Sequence, residues 1–413
     1  MASTAHSDPE QIKERYDPPE VLEKKIDQLA DLVRNSNHFV VFTGAGISTD
    51  AGIPDFRGPE GAWTLKAQGR MRTTKTVSTF KAIPTATHMA IKTLQDKEMC
   101  HYLISQNCDG LHRRSGIEPE KISELHGNSN IEYCEDCKHE YLRDFRCVRI
   151  NRYVSRDSPT YQADCHFTGR RCVAPGKGKK VCNGRLLNST IDFGQNLPEV
   201  PLAKADQHSR QADLHLVLGS SLTVSPANSF PKKTSKHGDL VICNLQNTHL
   251  DNRCTLRIYA RCDTVMKGLM SRLAIPLPQW NLHRKVQVTV KKEESGMRLV
   301  CQGAERGTQG QMIPASIVRQ ARAVGLGKKK EKLVLTAENG MTMMSRDDEG
   351  FAVAMDFFGH YKESSFAFEV PGGELSFVIS LWFNPKIENE WHFSVDSKDM
   401  TLLSPDQFEK RWA

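Results

Sequence analysis

The sequence predicts an α/β protein: a Rossmann-like parallel sheet domain with an inserted small zinc-binding module, plus a β-rich C-terminal segment. Three observations carry that expectation. Short apolar runs alternate with amphipathic helices between residues 22 and 274, the pattern of an open parallel sheet. Six cysteines interrupt it between residues 128 and 190. Beyond residue 284 the chain turns to alternating runs such as "VQVTVKK" and "LSFVISLWF", separated by Gly and Pro.

Residues 1–16 are polar and are expected to be a flexible N-terminus. Leu22, Ile26, Leu29 and Val33 then fall on one face of a helix. "HFVVF", residues 38–42, reads as a buried strand, and "TGAGISTDAGIPDFRG" follows it. A strand, Gly-x-Gly and a helix start resemble a dinucleotide-binding turn, where small residues let a pyrophosphate reach backbone N–H groups. The third glycine of the usual motif is absent, because Gly46 is followed by Ile47, Ser48 and Thr49. Further strands are expected at "YLISQ" (102–106), "LHLVLGSS" (214–221), "LVICNL" (240–245) and "LRIYA" (256–260), with a closing helix over 263–274. Polar residues follow three of the strands, at Gly44–Ser48, Gly219–Ser221 and Asn244–Gln246. In such sheets ligands bind at the carboxyl ends of the strands. The segment 284–413 is expected to be a β-rich domain, a small sandwich, with a basic mobile loop over 303–332.

Composition sets bounds. The 413 residues suffice for two or three domains, and 38% hydrophobic and 25% charged residues suit a globular protein. The net charge of +7 is mild and reads as a solvated surface. No apolar stretch approaches the ~20 residues of a membrane span. The N-terminal residues lack the apolar core of a signal peptide, so an intracellular, reducing location is expected. Twelve cysteines in that setting suit buried thiols or metal ligands better than disulfides. Cys134 and Cys137 form a C-x-x-C pair, half of a structural zinc site. For the other half Cys147, Cys165, His166, Cys172 and Cys182 all compete on spacing alone.

"SQNCDGLHRRSG" (105–116) packs Gln106, Asn107 and Asp109 together, and "ELHGN" (124–128) sets His126 before a glycine. An imidazole there suits general-base chemistry. The ordered set GAGIS, GIPDFRG, QNCDGLH, LHG, a cysteine module, GSS and NLQ resembles the sirtuin family of NAD-dependent protein lysine deacylases over residues 17–280. "DPPE", "DFRGPEGAWT", "TGRRC" and the wide gap between the last two cysteines resemble its nuclear class IV branch, that of sirtuins six and seven. The resemblance implies one catalytic domain over 17–280 that includes the zinc module at about 128–190.

It also implies roles. NAD would be held by Gly44, Ala45, Gly46, Thr49, Asp55, Phe56, Arg57 and Trp63, with Gln106, Gly219, Ser220, Ser221, Asn244, Leu245, Gln246 and Cys262. The Asp-Phe-Arg element would fold over the nicotinamide ribose. His126 would be the general base on the ribose hydroxyls, while Asn107 and Asp109 line the nicotinamide pocket. Structural Zn²⁺ would sit on Cys134, Cys137, Cys172 and Cys182. Acylated lysine peptides, histone tails among them, would add as a strand along "IDFGQNLP" (191–198), where Gln195 replaces the usual Glu. Products would be free lysine, nicotinamide and O-acyl-ADP-ribose, from acetyl or long-chain substrates. The implied location is the nucleus, with the cytoplasm as a second site. Chromatin is a further partner and a membrane is not. The alternatives are mono-ADP-ribosyl transfer from the same NAD site, a non-enzymatic NAD-responsive chromatin module, and a Rossmann oxidoreductase.

Overall fold

The computed structural model describes residues 8–149, 166–176, 181–234, 238–307, 310–328, 330–336, 342–387 and 390–413. Two compact units emerge: Met1–Ser129 with Ser189–Trp280, and Asn130–Asn188 with Asn281–Ala413.

In the first unit six parallel strands lie in the order Leu256–Ile258, Asp239–Cys243, Leu214–Leu218, Phe39–Thr43, Cys100–Ser105 and Ile122–Glu124. Phe39–Thr43 is buried throughout, because alternate residues serve opposite faces. Phe39 and Val41 join a core with the helices Pro19–Asn35, Ala86–Asp96 and Cys262–Arg272. Val40 and Phe42 join a second core with Ala205 of the helix Glu199–Gln211. The face expected on the first long helix is present: Ile26, Leu29 and Val33 are buried, and Leu22 packs against the same core. Asp263 of the closing helix accepts hydrogen bonds from the amides of Ala86 (3.2 Å) and Thr87 (2.9 Å), so its carboxylate caps the neighbouring helix.

Residues 8–16 are not the loose tail expected of them. Pro9–Ile12 is a helical turn, Arg15 N–H donates to Leu245 O (2.8 Å), and Ile12 O accepts from Gln246 Nε2 (2.9 Å). Residues 1–7 lie outside the described residues.

The second unit holds the cysteine module, expected within 17–280, together with the C-terminal segment. The hairpin Ile131–Cys134/Glu140–Arg143 continues into the C-terminal segment, with Leu142 and Arg143 in parallel register with Ala315 and Ser316. The result is one ten-stranded sheet that contains module and C-terminal strands together. Arg143 reinforces the seam, donating to Ser316 Oγ (2.7 Å) and to the fully buried carboxylate of Glu132 (2.7 Å). A five-stranded antiparallel sheet shares one apolar core with it, formed by side chains such as Val288, Ile379, Phe351 and Phe368. This is the sandwich expected of the segment. Gly350–Phe357 is its central strand and is buried on both faces. Ala352 and Ala354 meet Phe408 of the helix Pro405–Trp412.

The stretch 303–332 is mostly strand rather than loop. Met312–Ser316 and Val318–Gly325 lie inside it, with Ile313, Ala315, Val318, Ala321 and Ala323 buried. Its basic part is a hairpin connection, closed by Gly325 N–H to Glu331 O (3.0 Å).

Candidate functional site

The loops that carry Gly44, Gln106, His126, Gly219 and Asn244 each leave the carboxyl end of a parallel strand. Strand order reverses between Leu214–Leu218 and Phe39–Thr43, so their loops diverge there and leave a crevice. Glycines let the two loops touch. Gly46 N–H donates to Gly219 O (2.9 Å), and a Cβ on Gly44 or Gly46 would come within 2.7 Å of Gly219. Gly219 itself has φ +60°, and its own Cβ would meet Ile47 N at 2.6 Å. The Gly44-x-Gly46 spacing in the sequence thus reflects backbone packed on backbone. Behind it, Ala45–Ala51 is a 3₁₀ helix of two short turns, where the sequence suggested the start of a longer helix.

Two adjoining clefts result. The first, about 280 Å³, is lined by Gly44, Ala45, Gly46, Asp55, Phe56, Arg57, Trp63, Gln106, Asn107, His126, Gly219, Ser220, Ser221, Asn244 and Gln246. The second, about 450 Å³, shares Gly46, Asp55, Gly219, Asn244 and Gln246 and adds Thr49, Leu245 and Cys262. All the residues assigned to the nucleotide therefore border one cleft or the other. Phe56, Trp63 and Phe193 form a ring ladder with 5.2 Å between neighbouring centroids, and the Arg57 guanidinium lies 4.9 Å from the Trp63 ring.

His126 follows the short Ile122–Glu124 strand. Gly127 (φ +76°) turns the chain beneath it, where a Cβ would collide with Ser189 O at 1.8 Å. The imidazole Nδ1 lies 3.0 Å from Gln106 O. A carbonyl can only accept, so Nδ1 carries the proton and Nε2 keeps its lone pair. Burial pushes the His126 pKa below its ordinary value; the Gln106 carbonyl pulls it back up, and the Arg57 cation lowers it further. The ring is a neutral base at neutral pH.

Asn107 is buried, with Nδ2 donating to Gly44 O (3.0 Å), which ties the second strand's loop to the glycine turn. Asp109 departs from its expected place. It lines neither cleft; its carboxylate accepts from Ser48 Oγ (2.7 Å) and Leu111 N–H (2.9 Å). It braces the loop from outside the cavity. Residues 191–195 are a turn rather than a strand, with Gly194 at φ +87° and Gln195 Oε1 accepting from Asp192 N–H (2.8 Å). That turn still borders the first cleft. Sequence reasoning missed Val224 and Pro226 in the same wall, in a loop that carries no motif.

In the second unit the sulfurs of Cys134, Cys137, Cys172 and Cys182 all lie within 4.8 Å of one another. Cys134 and Cys182 are 3.7 Å apart, and Cys137 and Cys172 are 3.6 Å apart. Tetrahedral Zn–S bonds of about 2.3 Å would separate sulfurs by about 3.8 Å. The donor set and its spacing therefore fit a closed four-thiolate metal site. The rival ligands fall away: Cys147 is buried outside the cluster, and His166 Nδ1 lies 3.1 Å from Asn188 Oδ1. Cys165 lies outside the described residues.

Comparison with known proteins shows the family. The Sir2 family model matches residues 66–226. The chain is 42% identical over 281 residues to "NAD-dependent protein deacetylase SRT1" of Oryza sativa subsp. indica, covering 68% of this chain and 54% of that protein. It is 38% identical over 269 residues to "NAD-dependent protein deacetylase Sirt6" of Drosophila melanogaster, covering 65% of this chain and 81% of that one. It is 39% identical over 280 residues to human "NAD-dependent protein deacetylase sirtuin-7", covering 65% of each. The chain belongs to the Sir2, or sirtuin, family. It spans about half the length of the rice relative.

Proposed function

We propose that the protein removes acyl groups from lysine side chains of proteins in an NAD-dependent reaction. The observation that carries this is a neutral, cleft-lining His126 beside a glycine crossing at the point where strand order reverses. The crossing fits a dinucleotide, because side chains at Gly44, Gly46 or Gly219 would fill the space between the two loops. When bound there, NAD supplies the electrophilic ribose carbon that the acyl oxygen attacks as nicotinamide leaves.

His126 Nε2 accepts the proton of a ribose hydroxyl, with Nδ1–H held on Gln106 O so that the basic nitrogen is the one available. Asn107 fixes the wall opposite by its bond to Gly44 O. The Phe56–Trp63–Phe193 ladder borders the cleft and offers apolar surface to an acyl-lysine stem. The turn 191–195 presents main chain for the peptide to pair with. Zn²⁺ on the four cysteines would hold the second unit's module and take no part in the chemistry.

Within the family, the class IV branch fits best, supported by "TGRRC", by the wide Cys172–Cys182 gap, and by similarity to proteins named Sirt6 and sirtuin-7. Histone tails are the substrates this branch suggests. The test is mass spectrometry of the protein with acetylated and myristoylated histone H3 peptides, with and without NAD. NAD-dependent loss of the acyl group with formation of O-acyl-ADP-ribose is expected. ADP-ribose attached to protein, without deacylation, would replace this reading by ADP-ribosyl transfer.

A nuclear location belongs to the same reading, with "GKKKEK" (327–332) as a basic signal on the hairpin connection. Replacing Lys328, Lys329 and Lys330 with Gln is expected to shift a fluorescent fusion toward the cytoplasm. Unchanged nuclear accumulation would reject that role for the segment.

A further inference from the structure

The loop Asn244–Gln246 is held from behind by a residue that no motif marks. Arg257 lies in the Leu256–Ile258 strand, in parallel register with Ile242 of the neighbouring strand. Its side chain is only 12% exposed. A guanidinium offers its N–H donors in a fixed plane, and here two of its acceptors are carbonyls of that loop. Nε donates to Asp251 Oδ1 (2.9 Å). Nη1 reaches the carbonyls of Ile242 (3.2 Å), Asn244 (2.9 Å) and Ile258 (2.7 Å), and Nη2 donates to Gln246 O (2.6 Å). One face of the group lies 3.9 Å from the Tyr259 ring centroid. Asp251 is held in turn by the amide and hydroxyl of Thr248 (3.1 and 2.6 Å).

Both loop carbonyls are thereby turned toward the cation, which fixes where the rest of the loop points. Asn244 Nδ2 donates to Gln246 O (3.0 Å). Gln246 Nε2 donates to Ile12 O (2.9 Å) and to Arg57 O (3.0 Å). Gln246 is the junction of three segments: the nucleotide loop, the N-terminal residues and the Asp55–Arg57 loop. Asn244 and Gln246 border both clefts, whereas Arg257 borders neither.

We infer that Arg257 is a positioning residue for the nucleotide, setting the Asn244–Gln246 loop and, through Gln246, the closure of the segments over it. This rests on the proposed NAD reading. A lysine cannot replace it, because a single ammonium cannot hold the carbonyls of Asn244 and Gln246 and the Asp251 carboxylate in one plane.

The test uses full-length R257Q and R257K beside the parent protein. Hydrogen exchange of the ligand-free proteins comes first, and faster exchange confined to residues 244–247, 12–17 and 55–57 is expected in R257Q. NAD titration and steady-state kinetics follow. The Kd and KM for NAD should rise about tenfold in R257Q, the scale of losing a charge-assisted hydrogen bond, and less in R257K. At saturating NAD kcat should stay within about twofold, as for a loss of uniform binding, with the acyl-peptide KM unchanged. Unchanged exchange at 244–247, or an unchanged KM for NAD, would overturn the inference. So would parallel losses in kcat and peptide KM, which would mark a general structural role. A parent protein that neither binds NAD nor deacylates would instead overturn the functional reading, while the exchange result would still decide whether Arg257 orders the loop.

Discussion

Replacing His126 with Gln is expected to lower deacylation by about 10²–10⁴-fold, the range for loss of a general base, in a protein that still binds NAD. The glutamine amide can donate to Gln106 O as Nδ1–H does, so the loop should keep its shape. What disappears is a nitrogen lone pair that is basic near neutral pH. The pH profile of the parent enzyme tests the same group independently. Burial, offset in part by the Gln106 carbonyl and reinforced by Arg57, places the His126 pKa below its ordinary 6.5. A depressed pKa means that the neutral, active form persists to lower pH. The rate should therefore be flat through neutrality and fall only as pH drops below 6.5, toward the depressed value. The H126Q variant should lack that acid limb. Near-parental turnover in H126Q would remove His126 from the mechanism. A parental midpoint clearly above 6.5 would show that the imidazole meets a different environment in the working enzyme.

The parts of this site that were legible in the sequence are those set by local chemistry. "HFVVF" followed by glycines specifies a buried strand and a close backbone approach within twenty residues, and the Leu22–Val33 spacing specifies a helix face. Asp109 was misplaced because adjacency along "QNCDG" says nothing of direction. Gly110 (φ +76°) turns the chain into a short helix, and the carboxylate bonds the helix amide of Leu111 instead of facing the cavity. Residues 8–16 look like a polar tail, and what orders them is hydrogen bonding of their backbone to the Leu245 carbonyl and the Gln246 side chain, more than 200 positions away. The stretch 303–332 was obscured by its lysines and glycines, although Ile313 and Ala315, then Ala321 and Ala323, already alternate at the strand period. Arg257 has no motif, because its role comes from the carbonyls of Asn244 and Gln246, which only the folded loop brings to it.

Removing zinc, or replacing Cys134 with Ser, is expected to loosen the second unit well beyond the cysteines themselves. Among the described residues, the apolar cluster around the thiols comprises Cys134, Tyr141, Cys172, Ala174 and Leu186, with Cys182 against it. So small a core cannot hold a fold unaided. Structural zinc contributes on the order of 10–16 kcal/mol in isolated finger peptides. Even part of that rivals the whole stability of a typical domain, about 5–15 kcal/mol. The effect should travel along the sheet. The Glu140–Arg143 strand lies between Ile131–Cys134 on one side and Met312–Ser316 on the other. Glu132 is fully buried between Arg143 and Arg170, and Arg284 pairs with Asp144 at 2.7 Å, so disorder in the hairpin would leave charges without partners. Hydrogen exchange after chelation, or in C134S, should therefore show lost protection at residues 131–134, 140–143 and 312–316 together. Amides of Phe39–Thr43 and Leu214–Leu218, which belong to the parallel sheet, should keep theirs. Retained protection at 312–316 would mean that the C-terminal strands hold their order without the metal. The shared sheet would then be a seam between two independently stable parts.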